Sequence, residues 1–175
     1  SQQVNLTRFN LFFDERRDFF LENIAIFGFA NLTSALRGQT ETDPEAPILF
    51  FSRQIGLANG QSVPVSVGGR VSGRAGPYSL GLLNIQTDDK PSAQAVATNF
   101  TVATLKRNIL RRSTVGAMVT NRSPASGRDG HNVAAGLDGV FRFYRNINFI
   151  TYYAQTQTTG VSGNDRSYRG KFEYN

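Results

Sequence analysis

The sequence predicts an all-β chain, an antiparallel meander of about seven to nine strands that forms part of a larger transmembrane β-barrel. Three observations lead there. Apolar and polar residues alternate with period two in many windows, although the mean hydropathy is only −0.31. A slightly polar average with strong local alternation suits a sheet that has one apolar and one wet face. The alternating windows run for about 9–11 residues, the span of a tilted strand across a bilayer. From Tyr78 onward, long polar connections also alternate with short turns. Outer-membrane barrels keep that rhythm, with short turns at one rim and longer loops at the other.

Each element can be justified in order. Residues 4–13 are apolar and are followed by the charged knot Asp14-Glu15-Arg16-Arg17-Asp18. The apolar runs 19–23 and 24–30 are rich in aromatic and β-branched residues, which favours strand and turn over an amphipathic helix. Residues 36–47 read as a loop, broken by Pro44 and Pro47. The expected strands cover 48–57, 62–75, 78–87, 99–108, 113–122, 131–144, 147–156 and the segment ending at Tyr174. Asn59-Gly60, Gly76-Pro77 and Arg145-Asn146 mark tight turns, and 88–98, 123–130 and 158–165 read as polar loops. Residues 1–47 thus form a strand, turn and loop lead-in, and 48–175 the meander of one domain.

Parity assigns the faces. Val63, Val65, Val67, Val133, Leu137, Phe141 and Phe143 are expected on the lipid side. Arg70, Arg74, Asp138 and Arg142 are expected on the lumen side. The two faces are poorly separated in 78–87 and 147–156, which predicts a bulge or a protein-covered outer face there. Tyr78, Phe100, Tyr144, Phe172 and Tyr174 lie near strand ends, where aromatic girdles are expected.

Composition narrows the function classes. The chain has 175 residues, enough for one domain with a real core. The absence of cysteine removes disulfide frameworks and thiolate metal sites. The net charge of +6 could suggest nucleic acid. The arginines, however, are scattered along strand-like segments, with no basic run and no recognition-helix pattern. Arginines on the inner wall of a barrel explain the excess better. No stretch approaches the roughly 20 apolar residues of a membrane helix, which rules out a helical span but not a barrel. The opening residues lack the pattern of a signal peptide, so for an outer-membrane protein that signal is expected upstream or removed.

Several runs together carry a resemblance. They are Asn5-Leu-Thr-Arg-Phe9, Leu11-Phe-Phe13, Glu15-Arg-Arg17 and Phe19-Phe-Leu-Glu-Asn23. Phe50-Phe-Ser-Arg53 with Ile55-Gly56, Gly69-Arg-Val-Ser-Gly73 and Tyr78-Ser-Leu-Gly-Leu-Leu-Asn84 with Gln86-Thr87 follow. Val115-Gly116, Thr120-Asn-Arg122 and Gly136-Leu-Asp138 complete the set. The chain resembles the barrel domain of unassigned function that follows a family-9-like carbohydrate-binding domain in large cell-surface proteins of Gram-negative bacteria. The resemblance implies a bacterial outer-membrane location and a longer parent chain that supplies the remaining strands. It implies no characterised reaction, and no sugar-binding residue carries over. Asp14 departs from the proline expected before the acidic–basic pair.

No catalytic constellation, metal set or cofactor motif emerges. His131 stands beside Asp129 at a loop–strand junction, without a nucleophile motif. Asp43, Glu45, Asp88, Asp89, Asp129 and Asp165 lie in expected loops but lack the spacing of a known calcium loop. Glu15 and Glu22 read better as ion-pair partners of Arg16 and Arg17 than as a glycosidase pair. The Gly68-Gly69 and Gly73 cluster lacks the Lys-Ser/Thr ending of a phosphate loop.

The residues singled out are Arg70, Arg74, Arg107, Asp138, Arg142, Arg169 and Glu173, as a polar wall facing the lumen. Such a wall either selects anions or holds a plug, or it is a structural ion-pair network filling the interior. The expected partners are outer-membrane lipid, the remaining strands of the parent chain, and other surface proteins or glycans, with no nucleic acid. The function expected is to anchor, or form a conduit for, a larger surface protein. Two rival readings share the same pattern: a soluble β-barrel or sandwich that binds carbohydrate, and part of a carbohydrate-active enzyme.

Overall fold

The computed structural model describes residues 17–30, 47–50, 52–125, 130–144, 146–163 and 165–174. The apolar segment 4–13, the Arg145 half of one turn, most of the loop 36–47 and half of the loop 123–130 lie outside these. The main element is a seven-stranded sheet. Its strands are β3 (Val65–Ala75), β4 (Tyr78–Thr87), β5 (Thr98–Ile109), β6 (Ser113–Pro124), β7 (Asn132–Phe143), β8 (Ile147–Thr158) and β9 (Arg166–Tyr174). Every strand pairs antiparallel with its neighbour in sequence. The sheet is open, since β3 and β9 each pair on one side only among the described residues.

The turns follow from their residues. Gly76, at φ 57°, lets the chain reverse before Pro77, which supplies no ladder donor. Leu110 and Tyr144 take left-handed φ values of 54° and 56° at the β5–β6 and β7–β8 turns. These short turns share one end of the sheet. The connections 88–97, 125–131 and 159–165 share the other. The β4–β5 connection carries a 3-10 turn, Pro91–Ala93, and Asp89 accepts a hydrogen bond from the Ala97 amide at 2.6 Å.

The chain before the sheet departs from the sequence reading. Residues 17–30 form helical turns rather than strand: α1 (Asp18–Leu21) and a 3-10 turn, Ile24–Phe27. Among the described residues of 48–57 there is no continuous strand. They contain a 3-10 turn, Ser52–Gln54, and end in the hairpin β1 (Leu57–Ala58) and β2 (Gln61–Ser62). Asn59 and Gly60, both at positive φ, close that hairpin as expected. Segments 17–30, 47–50 and 52–56 lie together across one face of the sheet and form its apolar core. We call them the strap. One cluster joins Phe20, Ile26, Phe27 and Ile55 to Leu83, Ile85 and Val102. A second joins Phe29 and Ala30 to Met118, Tyr152 and Ala154.

This cover lies on the face that carries Arg70 and Asp138, opposite to the outer face where cover was expected, and it explains the poorly separated faces. Leu83, Ile85, Tyr152 and Ala154 are apolar because the strap dries them, while Leu80, Leu82 and Tyr153 on the same strands face outward. The register of β4 and β8 runs unbroken, so the cause is cover and not a bulge. A bulge does occur in β3. Val65 stands opposite Thr87 and Val67 opposite Gln86, with one residue too many between them. The expected common face of Val63, Val65 and Val67 is therefore broken. Val63 is buried before β3 begins, and its amide donates to the Gly56 carbonyl at 2.8 Å.

Candidate functional site

The covered face holds the candidate site, since the polar wall and the strap meet there. Arg70 sits on β3 opposite Leu83, hence on the strap side. It donates to the carbonyls of Phe19 and Glu22, pairs with the Glu22 carboxylate, and lies over the Phe19 ring at 5.2 Å. Glu22 thus finds its partner across the chain, where the sequence suggested the adjacent Arg16 and Arg17. Arg17 instead turns inward, over the Phe20 ring, and donates to the Ile55 and Ser52 carbonyls at 2.8 and 2.9 Å. It ties the two halves of the strap together.

Further bonds fix the strap to the wall. Asn23 donates to Ser72 Oγ at 3.2 Å, Thr104 to the Ile26 carbonyl at 3.3 Å, and Lys106 to the Ala25 carbonyl at 3.1 Å. Glycines in the sheet make room for the strap's side chains. A Cβ on Gly81 would stand 2.9 Å from both Ile26 and Phe27, and one on Gly136 would stand 2.6 Å from the Phe29 ring. Any side chain there would displace the strap. Strap residues and wall sockets are thus matched.

Between the strap and the short-turn end lies a cavity of about 260 Å³. Arg74, Lys106, Arg112 and Arg142 line it beside Asp138, under Ala25 and Gly28 of the strap. Gly116 leaves space for Asp138. A Cβ there would stand 2.6 Å from Asp138 Oδ1 and 3.3 Å from Lys106 Cγ. Lys106 and Arg112 were not singled out from the sequence. Lys106 was detectable, since it shares parity with Val102 and Thr104 in its strand.

The polar wall is therefore divided. Arg70, Arg74, Asp138 and Arg142 lie on the covered face, the last three around one cavity. Arg169 and Glu173 share that face at the β9 edge, opposite Tyr152 and Asn148, where Lys171 and Glu173 pair at 2.7 Å. Arg107 does not belong with them. It lies opposite Tyr78 on the open face, with its guanidinium 5.3 Å from that ring. Phe100 is likewise misplaced as a girdle residue, because it packs against the core under the strap. His131 is half-buried, and its carbonyl accepts from the Thr159 amide at 2.9 Å; Asp129 lies outside the described residues. Among the described residues no cluster of three metal-ligating side chains occurs.

The open face is chemically different. It carries Val67, Val71, Leu80, Leu82, Leu105, Val119, Leu137, Phe149, Tyr153 and Phe172, all exposed. A shallow groove of about 590 Å³ crosses Ala117 and Gly139 between Leu105, Leu137 and Tyr153. Toward the long connections the face turns polar. There Asn84 bonds Asn99 and Thr101 at 2.9 and 2.8 Å, and Asn99 bonds Gln86 at 3.2 Å. Toward the short turns it ends in Tyr78, Phe143 and Tyr174. No protein-family model, curated protein or solved structure matches the chain.

Proposed function

We propose that this chain is a section of the wall of an outer-membrane β-barrel from a Gram-negative bacterium. It carries its own strap against the lumen side, and it anchors, or forms a conduit for, a larger cell-surface protein. The open face carries this reading. A soluble monomer rarely leaves a contiguous apolar patch larger than a few hundred Å², yet every strand of this sheet presents exposed apolar residues on the same side. Strands of 9 to 12 residues suit a tilted crossing of the hydrocarbon layer. The aromatic rim at the short turns and the amide ladder at the long loops fit the two interfaces. The resemblance in the sequence points to the same class. In this reading, further strands of the parent chain close the edges left by β3 and β9, since unpaired backbone in lipid costs several kcal/mol per group.

Neighbouring residues on opposite faces test it. In membranes containing the full-length protein, Leu137→Cys is expected to react with a lipid-soluble probe and Asp138→Cys to resist it. The reverse pattern, or extraction of the protein into detergent-free buffer as a monodisperse species, would overturn the reading.

A further inference from the structure

We propose that the cavity between the strap and the short-turn end of the wall is a binding site for a small doubly charged oxyanion, of the phosphate or phosphate-monoester class. Four cationic side chains line it against a single carboxylate. They arrive from separate places in the chain: Arg74 near the end of β3, Lys106 in β5, Arg112 in the β5–β6 turn and Arg142 near the end of β7. Asp138 and Lys106 flank the same point over Gly116, so the single carboxylate lies beside that lysine. Lys106 is further held by the Ala25 carbonyl. Among the described residues, Arg74, Arg112 and Arg142 have no carboxylate partner.

Guanidinium groups present paired donors that match the oxygens of a tetrahedral oxyanion, and they stay charged at any physiological pH. Sites for drug-sized ligands usually measure about 300–1,000 Å³. A cavity of about 260 Å³ suits a bare oxyanion or a compact monoester, and it is small for a nucleotide or an oligosaccharide. The strap forms one side of the cavity through Ala25, Ile26 and Gly28, so an anion would touch two parts of one chain. A bound anion would also join strap to wall through charge. The inference rests on the covered face alone, so it stands or falls independently of the membrane reading.

Equilibrium dialysis with radiolabelled inorganic phosphate tests it, on the full-length protein in phospholipid-free detergent micelles with chloride as the background anion. Saturable binding to one class of site is expected. Arg74→Gln combined with Arg142→Gln should weaken it by about tenfold or more, the scale of losing charge-assisted hydrogen bonds. Arg111→Gln, in the same turn but outside the cavity lining, should change it less than about twofold on that scale. Asp138→Asn should tighten binding by removing the one negative charge from the cavity lining, a gain that misfolding cannot imitate. Absence of saturable binding, an equal loss with Arg111→Gln, or weaker binding in Asp138→Asn would each overturn the proposal. So would binding to phosphatidylglycerol vesicles with none to free phosphate, because the cations would then serve lipid headgroups.

Discussion

Leu82 and Leu83 are adjacent in β4, yet one is 45 % exposed and the other 1 %. The same contrast separates Leu137 from Gly136 in β7, and Tyr153 from Tyr152 in β8. On the open face, side chains present apolar surface to the surroundings and need no specific partner. On the covered face, each position answers to a particular strap residue: Gly81 to Ile26 and Phe27, Gly136 to Phe29, Arg70 to Glu22. One sheet thus obeys two packing rules. A lipid-like surround tolerates any apolar shape, whereas a protein surround demands complementary volume.

That contrast can be broken in graded ways. Phe29→Ala should have the largest effect, because the ring is 3 % exposed and fills the socket over Gly136. Emptying it should cost about 3–5 kcal/mol, read as a lower urea midpoint for unfolding in micelles. Leu137→Arg comes next, at roughly 2–4 kcal/mol if that position lies near the bilayer midplane. Asp138→Asn, one residue away, should assemble almost normally. Equal assembly of the two variants, read by heat-modifiable migration on gels, would erase the difference between the faces. Gly136→Val should cost roughly 1–3 kcal/mol through overpacking against Phe29 and Leu49. Gly69→Ala, on the open face with nothing within 4 Å of the added methyl, should stay within about 0.5 kcal/mol. Comparable losses at both glycines would show that the strap does not set the difference.

The sequence exposed these two faces unequally. Period-two alternation locates the strands from Val65 to Tyr174 to within about two residues at most ends, since successive side chains of a strand point to opposite faces. The glycine, proline and asparagine turns are legible for the same local reason. The strap is not. Its apolar residues contact the sheet through short helical turns, so they follow neither the strand nor the long-helix period. Residues 48–57 mislead similarly: Leu49, Phe50 and Ile55 are apolar because they lie beneath other parts of the strap or against the sheet. Arg107 was placed by charge, although its parity with Leu105 assigns it to the open face. The cation cluster around the cavity depends on which strand ends the meander brings together, and no single window of sequence displays that.

The sockets at Gly81 and Gly136 lie in β4 and β7, three strands apart in the sheet. Strands sit about 4.8 Å apart, so a single short segment spans roughly 14 Å of wall. This has a consequence in time. Each strand of the meander can pair with its predecessor across a brief connection, which closes quickly. The strap bonds instead at sequence separations of 78 and 81 residues, through Thr104 and Lys106, and contacts of that range form slowly. A segment synthesised before the sheet must therefore wait for most of it. Until β7 is in place, the ring of Phe29 has no socket to enter, and an apolar residue made before the sheet remains among the last to find shelter.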